Sequence, residues 1–138
     1  MHTDAALVLF SAGVLLLAAM LLGVWKWRAM VASPDGRAHR YVDVAHQAAL
    51  MYTFATTLIA GLVQFSAWPL AVNLSAATVV VFLFSGAIAR YTWLGLRKET
   101  VNQMRAAPRG TNNVMYVLAV GEIGGVGVLL AGFAAAQL

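Results

Sequence analysis

QAALMYTFATTLIAGLVQFSAWPLAVNLSAATVVVFLFSGAIA, residues 47–89, contains no Asp, Glu, Lys or Arg. A helix needs roughly 20 apolar residues to cross the hydrocarbon core of a bilayer. This run is long enough for two such helices, and Ala67-Trp68-Pro69 supplies the break between them, because proline cannot continue a helix. The reading is a pair of membrane spans joined by a tight, uncharged hairpin.

The segments on either side read the same way. Ala5 to Trp25 carry no charge, with Ser11 the only polar side chain, and from Gly110 to Leu138 the only charge is Glu122. The chain is 62% hydrophobic and 10% charged, against about 25% charged in an ordinary soluble domain. Such a surface cannot face water. The fold expected is all-α: an integral membrane bundle of four transmembrane helices in one domain, residues 1–138, with helices at roughly 5–27, 41–67, 70–96 and 113–136. Ser33-Pro34-Asp35-Gly36 and Pro108-Arg109-Gly110 mark the turns outside the spans. Met1-His2-Thr3-Asp4 lacks the positive charge that opens a cleavable signal, so the first apolar stretch is expected to stay as a helix.

The absence of cysteine excludes disulfides, iron–sulfur clusters and thiolate-held haem or zinc. The net charge of +4 does not point to nucleic acid, because the positive charges flank the apolar spans. Lys26, Arg28, Arg37 and Arg40 surround the first loop, and Arg90, Arg97, Lys98, Arg105 and Arg109 surround the third. All nine basic residues therefore fall at one end of the bundle. The positive-inside rule makes loops 28–40 and 97–112 cytoplasmic and both termini non-cytoplasmic, in a multi-pass protein of the inner (cytoplasmic) membrane. Trp25, Trp27, Tyr41, Trp68, Tyr91 and Trp93 sit near helix ends, as an interfacial aromatic belt does.

Polar side chains inside the spans are the functional candidates. On the second helix, a step of about 100° per residue places His46, Thr53, Thr57 and Gln64 on one face, with His39 in line and Asp43 about 60° away. Ser75, Thr78, Ser85 and Thr92 form a weaker stripe on the third helix, suited to close helix packing. On the fourth, Gly121 and Gly125 form a small-xxx-small pair around Glu122. That carboxylate lies roughly 15 Å from the basic end at 1.5 Å per residue, near the bilayer centre. It requires a partner or a proton there, and it is the candidate acid–base, ligand-binding or proton-carrying group. His39, Asp43 and His46, at i, i+4 and i+7, have spacing suited to a metal site, or to a histidine ligand oriented by a carboxylate. Arg90, near the end of the third helix, is expected to reach the headgroups, pair with Asp43 or bind an anion.

Four spans, a basic first loop, the overall length and the Ala45-His46 pair at the start of the second helix give the chain a resemblance to the group containing styrene oxide isomerase and hydroxylaminobenzene mutase. Tyr52 stands six residues after the histidine, where that group carries an asparagine. The resemblance implies haem b bound through His46, a lipophilic small-molecule substrate, a homo-oligomer with a trimer favoured, and Tyr91 near the substrate beside Glu122 as catalytic groups. Ala45-His46-Gln47 and Arg40 also resemble the second helix of the membrane-associated glutathione and eicosanoid enzymes. The single embedded glutamate resembles that of small multidrug exporters, though it lies here on the fourth helix. Three functions are left open: a membrane enzyme acting on a lipophile, a proton-coupled carrier using Glu122, and a non-catalytic subunit or assembly factor.

Overall fold

The computed structural model describes residues 1–105 and 111–138. The Pro108-Arg109-Gly110 turn lies outside the described residues. The order is four α-helices: α1 (Thr3–Val31), α2 (Arg40–Gln64), α3 (Leu70–Arg97) and α4 (Thr111–Gln137). No strand occurs among the described residues. The helices alternate in direction, so the nine basic residues expected at one end have their described members there, and the 65–69 hairpin closes the opposite end.

Three helices, α1, α3 and Asn112–Gln137 of α4, are long and apolar enough to cross a membrane. α2 was expected to be a fourth and is less apolar, because it carries His46, Gln47, Thr53, Thr56, Thr57 and Gln64. Its position accounts for this. α2 is packed on α1, α3 and α4, as α3 is on the other three, whereas α1 does not touch α4 among the described residues. The polar atoms of α2 are shielded by its neighbours or bonded to its own backbone, as Thr53, Thr56 and Thr57 are to the carbonyls of Ala49, Tyr52 and Thr53.

α2 also ends earlier than the expected 67. Phe65 leaves helical geometry, and the Ser66 hydroxyl accepts from Trp68 N–H at 3.1 Å, making the turn that Pro69 completes. Two apolar clusters fill the interior. Ala5, Val8, Ile59, Val63, Ala77, Val80, Phe84 and Leu129 pack toward the hairpin end. Leu15, Ala19, Ala49 and Ile88 pack deeper toward the basic end. The outward surface is equally apolar: Phe10 is 73% exposed, Phe82 74% and Ile123 74%. A soluble monomer rarely shows such a continuous apolar exterior.

Glycine sets how closely the helices approach. A Cβ at Gly95 of α3 would lie 3.1 Å from Val42 N of α2. On α4, side chains at Gly121 and Gly125 would run into Leu83 and Val80 of α3, and one at Gly132 would overlap Trp68 and Ser66. The expected small-xxx-small pair is thus the seam between α4 and α3. At the hairpin end, Trp68 Nε1–H donates to Val128 O at 2.8 Å, Ala67 N–H to Gly132 O at 2.9 Å and Gln137 Nε2–H to Phe65 O at 3.1 Å. α4 is therefore tied at the hairpin end and at its middle. No equivalent glycine contact holds its first two turns.

Candidate functional site

A cavity opens between α3 and α4 where the glycine contacts end. It has a volume of about 570 Å³, and its apolar wall includes Phe82, Leu83, Ala87, Val114, Met115 and Leu118, with Gly86 also lining it. Its polar groups, Arg90, Tyr91 and Gln103, gather toward the basic end. The size and the mostly apolar lining with a few convergent polar groups are those of a small-molecule site.

Each polar group is held by its neighbours. Tyr91 stacks on Tyr41, with ring centroids 6.1 Å apart and planes 18° from parallel. The Tyr41 hydroxyl accepts the backbone N–H of Gln103 at 2.8 Å, and Arg90 Nε–H donates to Gln103 Oε1 at 3.5 Å. Among the described residues Arg90 has no carboxylate partner; the ion pairs are Lys26–Asp43 and Arg97–Glu99. Arg90 therefore does not pair with Asp43, one of its three expected fates.

Glu122 lies one helical turn beyond Leu118. It is half-buried. Tyr52 is held flat on Phe84, centroids 4.1 Å apart. Of the two groups singled out from the sequence as catalytic, Tyr91 lines the cavity and Glu122 lies one turn beyond its wall on α4. Tyr52 entered the sequence reading only as a departure from an asparagine; its packing on Phe84 was not visible there.

The His39–Asp43–His46 series is dispersed. His39 is the N-cap of α2, and its Nδ1 accepts from Tyr41 N–H at 3.3 Å. Asp43 pairs with Lys26 of α1 and accepts from Gln47. His46 turns toward α1, where Nδ1 meets Ala19 O at 2.9 Å. A carbonyl can only accept, so Nδ1 carries a proton, and in the neutral ring the lone pair is then on Nε2. Among the described residues no group of three His, Cys, Asp or Glu side chains is placed to hold a metal.

His46 suits haem in its tautomer, the one metal-bound histidines adopt, and not in its surroundings. Its ring fills the α1–α2 seam against Gly23, where a Cβ would come within 2.9 Å of Cε1. It does not line the α3–α4 cavity. The residues of one chain therefore do not fit the group.

The polar stripes serve locally. Thr53 is buried and Thr57 exposed, while Thr56, left out of the stripe, is fully buried. Ser85 and Thr92 bond the carbonyls of Val81 and Ile88 in their own helix. A hydroxyl that can bond its own i−4 carbonyl needs no partner helix, so angular position alone does not identify a site.

A second polar group lay outside the sequence reading. Asp4 and Asn73 are buried at the hairpin end, 3% and 2% exposed. Asn73 Nδ2 donates to Asp4 Oδ2 and to Trp68 O, both at 3.2 Å. An amide inside an apolar span was the available signal.

Comparison with protein families, with characterised proteins and with solved structures finds no match.

Proposed function

We propose that this chain is an integral membrane protein that binds and transforms a lipophilic small molecule in the α3–α4 cavity. All four helices cross the bilayer, α2 shielded by its neighbours. The basic loops 28–40 and 97–112 face the cytoplasm, and both termini face away from it. The observation that carries the reading is the apolar cavity itself, with Tyr91 at its polar end and Glu122 one turn beyond Leu118. In such a water-poor site a fixed carboxyl and phenol act strongly on a bound molecule, the phenol donating a hydrogen bond and the carboxyl taking or giving a proton.

Gly86 allows a clean test. It lines the cavity and has nothing within 4 Å of where a Cβ would stand, so the Cβ of Gly86→Leu meets no neighbour and the rest of the side chain takes up cavity space. A phenyl-diazirine photoprobe is expected to label α3 and α4 side chains around the cavity in the wild-type protein and to lose that labelling in Gly86→Leu. Labelling indifferent to Gly86→Leu would overturn the reading. Orientation is tested separately: Glu99→Cys, in a chain without native cysteine, is expected to resist an impermeant thiol reagent in intact cells.

An isomerase of the styrene oxide type, trimeric with haem b on His46, is the second reading, favoured by the His46 tautomer alone. It requires a Soret band in the purified protein that His46→Ala removes. A colourless, folded protein at full recovery sinks it.

A further inference from the structure

We propose that the α3–α4 cavity selects an amphipathic anion: a molecule with a carboxylate or phosphate head and a hydrocarbon tail, its head on Arg90. This rests on the reading of the cavity as a ligand site and names the class of ligand. Three observations support it.

The first is the arrangement of charge. The polar end of the cavity offers donors, namely the Arg90 guanidinium, the Gln103 amide and the Tyr91 hydroxyl. No carboxylate neutralises Arg90 among the described residues. Guanidinium is a planar fork that matches a carboxylate or phosphate with two parallel hydrogen bonds. Its Nε is held by Gln103 Oε1, which leaves the terminal nitrogens to the ligand.

The second is preorganisation. Gln103 is fixed from behind by Tyr41, its backbone N–H on the Tyr41 hydroxyl, and Tyr41 is 6% exposed and stacked on Tyr91. The exposed Arg90 side chain is thus anchored, through Gln103, to a buried aromatic support.

The third is polarity along the cavity. From Arg90 the wall runs to Leu83, seven residues or about 10 Å along α3, through apolar side chains. Glu122 lies past Leu118 at the far end. A negative head is attracted to Arg90 and the apolar wall beyond it takes a hydrocarbon tail, so a tailed anion has one favourable direction in the cavity. Phe82 and Val114, exposed members of the wall, border it on the outward face, the route a molecule dissolved in the bilayer would take.

Parinaric acid, a fluorescent long-chain carboxylate, and its uncharged methyl ester are the probes, titrated against the full chain in a neutral detergent. The acid is expected to bind saturably and more tightly than the ester. Arg90→Gln should weaken the acid by about tenfold, leave the ester unchanged and so erase the preference. Gly86→Leu should abolish binding of both. Competition by phosphatidylglycerol in nanodiscs separates the two sources of the head group: displacement of the acid assigns the site to a lipid phosphate, and persistence assigns it to a free single-tailed anion. Equal binding of acid and ester, or a preference that survives Arg90→Gln, overturns the anion. If Gly86→Leu still removes both probes in that case, the cavity reading stands without it. If Gly86→Leu removes neither, the cavity reading itself fails.

Discussion

The imidazole of His46 on α2 lies against Gly23 on α1, and its Nδ1–H donates to the carbonyl of Ala19, 2.9 Å away and one turn back along α1. Glycine is required at 23 because the ring occupies the place of its side chain. Gly23→Ala sets a methyl 2.9 Å from Cε1, and the ring cannot retreat without giving up Ala19. The expected loss is about 1–3 kcal/mol, read as a lower unfolding temperature in a fixed detergent. His46→Ala added to Gly23→Ala should cause little further loss, because the two residues share one interaction. Additive losses would show that they do not.

Asp4 and Asn73 form the corresponding polar tie at the hairpin end. Asn73→Leu keeps the volume and removes the Nδ2 donor, leaving a buried Asp4 carboxylate with only Ala5 N–H. An unsatisfied buried group costs about 1–3 kcal/mol, more when charged. The double variant Asp4→Leu, Asn73→Leu should recover much of that loss, since the carboxylate and the amide go together and only Ala5 N–H and Trp68 O lose a partner. Thermal unfolding of the three variants checks the order: Asn73→Leu lowest, the double variant between it and wild type.

The helices were legible because their signal is simple. Charge-free runs, Pro69 and the one-sided distribution of Lys and Arg speak for themselves in residues 47–89 and on either side. Close packing of α4 at Gly121 and Gly125 was legible too, though not that its partner is α3. Side-chain direction was not. His39, Asp43 and His46 share a helix face by arithmetic, yet each finds a different partner: His39 the N–H of Tyr41 in its own helix, and Asp43 and His46 two residues of α1, Lys26 and Ala19, two turns apart. The cavity was hidden for a related reason. It arises from where α4 stops being tied to α3, a property of two helices and absent from the pattern of either. Arg90 and Tyr91 were noted singly, while Gln103, which joins them through Tyr41, sits in a loop with no periodicity to mark it.

The turn after α1 carries a small pH dependence. The Ser33 hydroxyl donates to Asp35, and the backbone N–H of Arg37 adds a second bond at 3.2 Å. Both favour the carboxylate, holding Asp35 below its ordinary value of 3.8. A group whose folded value is lowered contributes stability in full above the unfolded value and loses it as pH falls through the folded one. The turn should therefore stay closed at neutral pH and open only below about pH 3.8. The Asp35 carboxyl resonance followed by NMR is expected to titrate below that value, and Ser33→Ala to move it upward. An unmoved midpoint in Ser33→Ala would remove the hydroxyl as the cause.

The glycines of α4 divide into two sets with opposite expected behaviour, which tests how the helix is docked. Gly132 lies under Trp68, whose indole N–H reaches Val128 O at 2.8 Å, while Gly124 and Gly127 have nothing within 4 Å. Gly132→Ala drives a methyl into Trp68 and Ser66, so the hairpin must lift and give up the bonds to Val128 and Gly132 carbonyls. The expected loss is about 1–3 kcal/mol. Gly127→Ala adds the same methyl to open space and, by helix propensity alone, should be neutral or stabilise by up to about 1 kcal/mol. Unfolding temperatures measured side by side separate the two cases. If Gly132→Ala and Gly127→Ala behaved alike, α4 would not be held at Trp68. The cavity at its other end could then no longer be attributed to a helix tied at the hairpin end and middle and free over its first two turns.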